Sequence, residues 1–328
     1  MIWNTPFCAL AVLLAAMAAL SGCSDKAATV PPAPAATASQ QAYSPITIEH
    51  KLGTTVIAQR PQRVAVLDMN EVDFLDQLGV PVAGMPKDFV PQFLQRYKDD
   101  AAVVDTGAIV QPNLERVHAA RPDLILITSL QAQHYGELSE IAPTLHFDVD
   151  YRDSEARHIE VIKNHLLTLG QVFDKQSLAR QQVAALDAKV EQARRITLAR
   201  PERALVVLHN NGAFSSFGVQ SRYGFVFTDL GVKPASPTAE TGLHGQPISS
   251  EFIQQANPDI LYVVDRTAVM ERRPALDAQS LGNPLLRQTN AWKNGRVVFV
   301  DAQAWYVMAA SPTSIKRVID DVIKGYQP

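Results

Sequence analysis

The side chains that could do chemistry in this 328-residue chain are few and dispersed. Ser215 or Ser216 with His209 is the one local nucleophile-and-base pair, the minimum that hydrolysis of an ester requires. The eight histidines are scattered, without the i, i+4 spacing or the accompanying Cys-x-x-Cys pair that typifies a site for a free metal ion. Nucleotide-binding, nucleophile-elbow and zinc-protease motifs are missing from the sequence as well. The sequence therefore favours a binding protein over an enzyme.

The N-terminal segment predicts export and attachment to a membrane. Residues 1–22 lack charged side chains, and the apolar run from Phe7 to Leu20 has the length of a signal-peptide core, too short to span a bilayer. The run ends in LSGC at 20–23, which resembles the lipobox at which bacterial lipoproteins are cleaved and lipidated. We therefore expect a lipid on Cys23, with an ordinary signal peptide that happens to contain a Cys as the alternative.

Residues 23–44 are expected to form a disordered tether behind that lipid. They are rich in Ala, Pro, Ser and Thr, so burial cannot offset the entropy cost of ordering them. Cys8 and Cys23 are the only cysteines, which leaves no disulfide for the exported domain. The formal net charge of −3 argues against nucleic acid as a partner. We expect a monomer in the periplasm or on the outer face of the cytoplasmic membrane.

The predicted strands and helices that could position a binding site begin after residue 45. Strand and helix patterns alternate, beginning with a hairpin at 46–57 and a first helix that Asn70 is expected to cap. A helical stretch interrupts them, and its apolar stripe from Ile159 to Phe173 predicts a helix of about 20 residues. Such an alternation predicts a parallel sheet with helices on both faces, and it resumes at Arg203. We predict an α/β fold with two Rossmann-like β/α lobes joined by a single long backbone helix and a ligand cleft between them.

The expected boundaries place the N-terminal lobe at 45–152, the linking helix at 153–175 and the C-terminal lobe at 176–328. One helix–turn–strand phrase occurs in both lobes, as LERVHAARPDLILI at 114–127 and SEFIQQANPDILYV at 250–263. Glu115 aligns with Glu251, and a Pro-Asp pair follows each at the same distance. The pattern that buries the apolar positions exposes both carboxylates. A Glu in the first helical turn complements the helix macrodipole, which explains one such residue more readily than two.

Several segments in combination are typical of one family. They are ITIEHKLGTTVI at 46–57, RPQRVAVLD at 60–68, RPDLILI at 121–127, EIAPT at 140–144, HGQPISSEFIQQANPDILYVVDR at 244–266 and VFVDAQAWYV at 298–307. Through them the chain after the tether resembles the solute-binding lipoproteins that deliver ferric siderophores to ABC importers, and especially the branch that binds catecholate and related siderophores. The resemblance implies a rigid bilobal fold, a ferric siderophore and an ABC permease as partners, and no catalysis. Fe³⁺ would arrive within the ligand, so no intrinsic cofactor is expected.

The resemblance also implies site residues in the C-terminal lobe. His244 and Tyr306 match the His and Tyr that complete the coordination of iron when a siderophore supplies only four oxygens. Ferric iron is a hard cation that takes six ligands, for which phenolate is a hard anionic donor and imidazole an acceptable one. Arg222 and Arg266 match arginines that balance the negative charge of the chelate. Without the resemblance, each of the four has an ordinary packing or surface role as its alternative.

One departure from the family pattern bears on the ligand. An Arg expected in the N-terminal lobe is replaced by Leu130, and Gln131 and His134 are the candidates to compensate. Less positive charge favours a less anionic or more apolar complex, such as a mixed catechol/hydroxamate or a heterocycle-containing siderophore.

A further pair of residues and two other functions follow from the resemblance. In relatives, an acidic residue at the tip of each lobe binds Arg residues of the permease, and Glu115 and Glu251 match those positions.

Two alternative functions stay open. One is a haem or cobalamin-binding protein on the same fold, with Tyr306 as the axial ligand to haem. The other, less favoured, is a tethered siderophore esterase.

Overall fold

The computed structural model describes residues 43–149, 157–236 and 244–327. The predicted signal peptide, Cys23 and all but the last two residues of the predicted tether lie outside the described residues. Within the described part, no helix combines the length and apolar character that crossing a membrane requires.

The N-terminal lobe is built on a parallel sheet. In chain order its elements are β1 (Ile46–His50), β2 (Gly53–Ile57), β3 (Val64–Val66), α1 (Met69–Gln77), β4 (Val82–Met85), a 3₁₀ turn (Gln92–Leu94), α2 (Gln95–Asp99), β5 (Val104–Asp105), β6 (Gly107–Ala108), β7 (Gln111–Pro112), α3 (Leu114–Ala119), β8 (Leu124–Thr128), a second 3₁₀ segment (Ser129–His134), α4 (Tyr135–Ile141) and β9 (Thr144–Phe147). The sheet has the strand order β5-β4-β3-β8-β9, and every adjacent pair is parallel. The predicted hairpin is confirmed, because β1 pairs with β2 in antiparallel register.

Buried strands and a capped helix explain this lobe locally. β3 and β8 are buried at every residue and apolar except for Thr128 at the end of β8, as expected for central strands of a sheet with helices on its faces. The expected cap of α1 was wrong by two residues, since Asp68 rather than Asn70 stands at the N-cap and accepts a hydrogen bond from the backbone N–H of Asn70 at 2.8 Å. This cap places two polar side chains where the strand ends.

Two helices follow the first sheet in the chain. Residues 153–156 of the predicted linking helix lie outside the described residues, and the rest of it corresponds to α5 (His158–Val172). α6 (Gln176–Leu198) follows after a short turn at Asp174, which has a φ of 57°. Ile159, Ile162, Leu166 and Leu169 of the predicted stripe are buried along one side of α5. α6 packs closely on α5, because a Cβ added at Gly170 would lie 2.5 Å from the Cβ of Ala179. α5 and α6 therefore form a tightly packed pair.

The C-terminal lobe is built on a mixed sheet. Its elements are β10 (Arg203–Asn210), β11 (Ala213–Phe217), α7 (Phe225–Thr228), β12 (Lys233–Pro234), β13 (Gln246–Ile248), α8 (Ser250–Ala256), β14 (Ile260–Asp265), α9 (Arg266–Glu271), a 3₁₀ turn (Leu286–Gln288), α10 (Asn290–Lys293), β15 (Val297–Phe299), a π-helical segment (Gln303–Met308) and α11 (Pro312–Lys324). The strand order is β13-β11-β10-β14-β15, and β12 also pairs with β10. β10, β12, β14 and β15 are parallel to one another. β11 pairs antiparallel with β10 and with β13, so β13 runs in the same direction as β10.

The antiparallel edge departs from the parallel sheet that the sequence predicted. Asn211 and Gly212 both have positive φ, 49° and 85°, as a two-residue hairpin turn requires. They join β10 directly to β11, so the chain returns beside β10 instead of crossing over to make a parallel strand. An Asn-Gly pair between apolar runs is a strong local signal for such a turn, and the sequence contains it.

The repeated phrase folds the same way in both lobes. The carboxylate of Asp123 accepts hydrogen bonds from the backbone N–H groups of Gln62 and Arg63 at 2.7 and 2.9 Å. The carboxylate of Asp259 accepts one from the backbone N–H of Arg203 at 3.0 Å. Each Asp thus ties the start of its strand to the start of the neighbouring central strand, which accounts for the Pro-Asp match as a requirement of the fold.

Candidate functional site

A cavity of about 480 Å³ lies between the two lobes. Both lobes and the first residue of α5 contribute to its wall, so it occupies the cleft that the sequence predicted. The lining residues are Asp68, Asn70, Asp88, Phe89, Ala108, Ile109, Val110, Thr128, Ser129, Leu130, Phe147, Asp148, Val149, His158, Arg222, His244, Val269, Met270, Tyr306, Val307, Met308, Ala309 and Ala310.

Three of the four predicted ligand-binding residues form one cluster. Nε of Arg266 donates a hydrogen bond to the phenolic oxygen of Tyr306 at 2.7 Å, and Nη2 of Arg222 donates one to the backbone carbonyl of Tyr306. The two guanidinium carbons lie 5.3 and 5.5 Å from the centre of the Tyr306 ring. Tyr306 therefore has two cations within cation–π distance, so positive charge is concentrated around its ring.

Neighbouring elements hold these side chains in place. Arg266 is the first residue of α9, directly after β14, and its Nη1 donates to Oδ1 of Asn210 at 3.0 Å. Tyr306 lies in the π-helical segment, a type of helix that is rare and frequent at functional sites. The adjacent Trp305 is fully buried, and its indole N–H donates to Oδ2 of Asp321 at 3.1 Å. Trp305 thus anchors the segment in the core while Tyr306 lies on the cavity wall.

His244 is on the cavity wall with Arg222 and Tyr306. Partial burial, together with the charges of Arg266 and Arg222, lowers the pKa of His244, so its imidazole is neutral at neutral pH. Neutral imidazole is the form that coordinates a metal ion. Gly245 follows with a φ of 75°, and a Cβ there would lie 2.7 Å from the carbonyl oxygen of Ser216. This glycine allows the His244 loop to lie closely against β11.

The N-terminal wall of the cavity is mostly apolar. Phe89, Ile109, Val110 and Leu130 line it, and two of them are large side chains left exposed, Val110 at 58% and Leu130 at 44%. Met270, on the opposite lobe, is 40% exposed beside them. Exposed apolar side chains grouped around a cavity mark a binding surface. Leu130 is part of this surface, and its apolar side chain brings no charge to the cavity wall.

Neither predicted substitute for the missing Arg reaches the cavity. Gln131 is fully buried, and its side chain accepts from the backbone N–H of Thr128 at 2.9 Å and donates to the carbonyl of Ile109 at 2.7 Å. His134 lies 3.2 Å from a carboxylate oxygen of Glu137 and is not part of the lining. The prediction that they compensate for Leu130 is wrong, because a capping box and a local ion pair already use their polar groups.

Polar bonds tie both ends of the π-helical segment to the N-terminal lobe. At its start, the side-chain oxygen of Gln303 accepts from the backbone N–H of Gln92 at 2.9 Å. Beyond its end, Oδ1 of Asn70 accepts from the backbone N–H of Ala310 at 3.0 Å. Oδ2 of the fully buried Asp73 then accepts from the backbone N–H of Thr313 at 2.7 Å. We call these three bonds the lobe ties.

Two residues that line the cavity were not predicted from the sequence, one on the linking helix and one at the N-cap of α1. His158 lines the cavity as the first residue of α5. Asp68 lines it from the end of β3, and burial raises the pKa of its carboxyl group. The polar pair Asp68 and Asn70 after an apolar strand is a signal that was present in the sequence, whereas nothing local distinguishes His158 from the other histidines.

The candidate nucleophile-and-base pair is not assembled. Nδ1 of His209 lies 3.3 Å from Oδ1 of Asp265, and its Nε2 accepts from the backbone N–H of Gly212 at 2.9 Å. Both ring nitrogens therefore have partners, and no hydrogen bond joins His209 to Ser215 or Ser216 in the described structure. No group of three or more His, Cys, Asp or Glu side chains that could hold a metal ion occurs among the described residues either.

Glu115 and Glu251 occupy equivalent positions on the two lobes. Each is exposed and is the second residue of its helix, α3 or α8. The caps are equivalent too, since Asn113 accepts from the N–H three residues on at 2.9 Å and Ser249 does so at 3.3 Å. Hydrogen bonds from its own backbone N–H and from Ser249 lower the pKa of Glu251, which keeps it ionised at neutral pH.

Residues 64–304 match the family described as periplasmic binding protein, Peripla_BP_2. The chain belongs to this family. The matched range begins at β3 and ends within the π-helical segment, so it contains the central sheet of each lobe and most of the cavity lining, with Tyr306 just beyond its end.

Relatives in the Peripla_BP_2 family are similar over nearly the whole chain. The chain is 60% identical to the ferric-anguibactin-binding protein FatB of Vibrio anguillarum over 319 residues, which cover 97% of each protein. The solved structure of the siderophore-binding protein BauB is 65% identical and superposes with a TM-score of 0.83, covering 86% of this chain and 99% of that chain. The catecholate-siderophore-binding protein VctP of Vibrio cholerae is 30% identical, with a TM-score of 0.80 and coverage of 85% and 99%. All three relatives are named as binding proteins and none as an enzyme.

Proposed function

We propose that this protein binds a ferric siderophore in the cavity between its lobes and delivers it to an ABC permease for iron uptake. The observation that carries the proposal is the cluster in which Arg222 and Arg266 both donate to Tyr306, with Arg222 and Tyr306 on the cavity wall. A ferric catecholate chelate is anionic, and two guanidinium groups beside a phenol supply both charge and a donor to iron. The relatives support the same ligand class, because FatB is named for a ferric siderophore and VctP for catecholate siderophores.

The ligand we propose is a catecholate or mixed-catecholate complex of modest negative charge. The N-terminal wall offers apolar surface and no cation at Leu130, so a strongly anionic complex would leave charge unpaired there. BauB was solved with two molecules of acinetobactin and ferric iron, which supports a chelate assembled from two small siderophore molecules. Iron is then cargo, and the protein needs no cofactor of its own.

Tyr306 and His244 are proposed to complete the coordination of iron. A chelate with four oxygens leaves two positions of the ferric ion for protein donors, and these two side chains share one wall. Coordination displaces the phenol proton, so affinity rises with pH until other groups titrate.

Substitution of Tyr306 tests the site. Ferric tetradentate and hexadentate chelates are titrated into the wild type and Tyr306→Phe, with Trp fluorescence and visible absorbance recorded. We expect the phenolate-to-iron charge-transfer band to disappear in Tyr306→Phe and the affinity for tetradentate chelates to fall about tenfold to a hundredfold. Tyr135→Phe, outside the cavity, is the matched control. A band unchanged in Tyr306→Phe would remove Tyr306 from the coordination sphere.

The mature protein is proposed to be a monomeric lipoprotein without enzymatic activity. Cleavage before Cys23 and lipidation of that residue would leave residues 23–44 as the tether to the outer face of the cytoplasmic membrane or within the periplasm. We propose lobe boundaries of 45–152 and 176–328 around a linking helix at 153–175. Metabolic labelling with a fatty acid, compared between wild type and Cys23→Ser, tests the anchor, and failure of the wild type to label would contradict it.

Glu115 and Glu251 are proposed to dock the protein on the permease. Equivalent exposed carboxylates on two lobes suit a two-fold symmetric partner that presents a cation to each. The variant Glu115→Arg with Glu251→Arg should bind ferric chelates normally and fail to support uptake. Glu140→Arg with Glu191→Arg, two exposed carboxylates elsewhere, is the control for the change in net charge. Normal uptake by the first variant would refute the docking role.

A further inference from the structure

His158 is the imidazole on the cavity wall that comes from the linking helix. It is half-buried, at the first position of α5. Its ring stacks on Phe225 with the ring centres 4.3 Å apart, and its Nε2 lies 2.7 Å from the carbonyl oxygen of Ala309. The stacking and the hydrogen bond together fix both the plane and the rotation of the ring.

The bond to Ala309 determines which ring nitrogen carries the proton. A carbonyl oxygen only accepts hydrogen bonds, so Nε2 of His158 must be the N–H. Burial lowers the pKa of His158 to about 4, which leaves the ring neutral at neutral pH. Nδ1 is therefore an unprotonated acceptor, and it makes no hydrogen bond with any residue in the described part of the chain. An acceptor with a fixed orientation is thus left at the cavity without a partner among the described residues.

We propose that Nδ1 of His158 accepts a hydrogen bond from an N–H or O–H group on the organic part of the bound ferric chelate. This inference rests on the proposed function, and it adds a specificity-determining residue to that site. The role differs from that of His244, which we place on the iron. The linking helix thereby takes part in recognising the ligand.

A neutral acceptor suits this position better than a carboxylate would. The chelate is anionic, and a second negative charge beside it would repel it. The carboxylate of Asp68, another acceptor on the wall, already receives hydrogen bonds from Asn70 at 2.8 Å and from Thr128 at 3.3 Å. A chelate without a suitable donor would cover Nδ1 and leave it unpaired, and such a buried acceptor penalises binding. His158 should therefore discriminate between chelates of equal charge.

The test uses two ferric complexes that differ in one donor. They are the complexes of 2,3-dihydroxybenzamide and of its N,N-dimethyl amide, each prepared at two ligands per iron. Affinities are measured by Trp fluorescence for wild type, His158→Gln and His158→Asn. The Gln side chain keeps a donor near the position of Nε2, whereas the Asn side chain keeps a polar atom near the position of Nδ1. The measured quantity is the ratio of the two affinities within each protein, which cancels general losses of affinity.

We expect the wild type to prefer the unsubstituted amide by about tenfold. His158→Gln should bind the two complexes with nearly equal affinity, and His158→Asn should retain part of the preference. The inference is overturned if wild type shows no preference, or if His158→Gln keeps the full preference. The proposed function fails separately, and the inference with it, if wild type binds neither complex. Thermal unfolding of each variant in the absence of ligand identifies any variant that does not fold. If a variant does not fold, the ratio of the two wild-type affinities still tests the inference.

Discussion

The two walls of the cavity differ more than the two lobes that form them. Both lobes contain the same helix–turn–strand phrase, with the Pro-Asp tie and an exposed Glu at equivalent positions. The residues that reach the cavity have nothing of this symmetry, since Arg222, His244 and Tyr306 lie on the C-terminal side and apolar side chains such as Leu130 on the other. A shared scaffold thus carries two unlike binding surfaces.

This difference separates two tasks of the proposed site. The cationic wall can balance the charge of the iron centre and donate ligands to it, which any ferric chelate of the same charge would require. The apolar wall contacts the organic periphery, where siderophores differ from one another. Changes on the first wall should therefore alter affinity for all chelates, whereas changes on the second should alter the preference among them.

Removing the charge of the C-terminal wall should have the largest effect. In Arg222→Met with Arg266→Met, we expect affinity for anionic ferric chelates to fall about a thousandfold, because two charge-assisted interactions are lost from a partly dehydrated site. Fluorescence titration measures the loss. Arg180→Met with Arg287→Met changes net charge equally at residues outside the cavity and should leave affinity within about twofold. Equal losses in both double variants would show that overall charge, not the wall, binds the ligand.

The next effect concerns stability at low pH. The pKa of His158 is about 4 in the folded protein, against an ordinary value near 6.5 in the unfolded chain, so the unfolded state binds the proton first. The wild type should lose about 2 to 3 kcal/mol relative to His158→Gln as the pH falls from 7 to 4. Urea unfolding at several pH values measures this difference.

The matched comparison isolates His158 from other titrating groups. Burial also lowers the pKa values of His50 and His146, but both proteins contain these residues. Asp229 and Arg222 act on His158 in opposite directions and are likewise unchanged. If the difference in unfolding free energy between the two proteins stays constant with pH, then His158 has the same pKa in the folded protein as in the unfolded chain.

A smaller effect is expected from putting a cation on the apolar wall. Leu130→Arg should shift the preference toward the more anionic of two chelates by about tenfold, since it restores charge where the ligand periphery lies. The measurement is the ratio of affinities for a di-anionic and a tri-anionic ferric catecholate. Leu130→Met keeps the wall apolar and serves as the control. The division between the walls is wrong if Leu130→Arg raises affinity for both chelates equally.

The smallest effect on ligand binding should come from an exposed ion pair at the rim of the cavity, between Arg272 and Asp88. Arg272 and Asp88 approach to 3.6 Å from opposite lobes, and both side chains are more than half exposed, 68% and 56%. Exposed ion pairs are worth little, so Asp88→Asn should change the dissociation rate less than about threefold, and still less at high salt. Stopped-flow displacement at two salt concentrations measures the rate. A large and salt-sensitive change would assign the rim a gating role.

Local patterns made part of this molecule predictable. The alternating hairpin and the stripe on α5 depend on residues close in sequence, and the structure has both of them. The Asn-Gly turn at 211–212 was equally local, and the predicted parallel sheet missed it. Arg222, His244 and Tyr306, which line the cavity, and Arg266, which bonds to Tyr306, were chosen from the family resemblance rather than from spacing.

The remaining features depend on contacts between distant segments. His158 faces the site because α5 meets Ala309 and Phe225, far away in the sequence. Gln131 was a candidate for the cavity until its amide proved to bridge Thr128 and Ile109. The π-helical segment has no simple sequence signature, since its form depends on Trp305 being held in the core.

The lobe ties bear on the rate of binding. Gln303, Asn70 and Asp73 fix the segment that carries Tyr306 on both sides, and these bonds are already formed without a ligand. Binding of the ligand then requires little rearrangement of this segment. Association should be a single step limited by diffusion and orientation, with a rate that increases linearly with chelate concentration instead of reaching a plateau set by a slow change in shape.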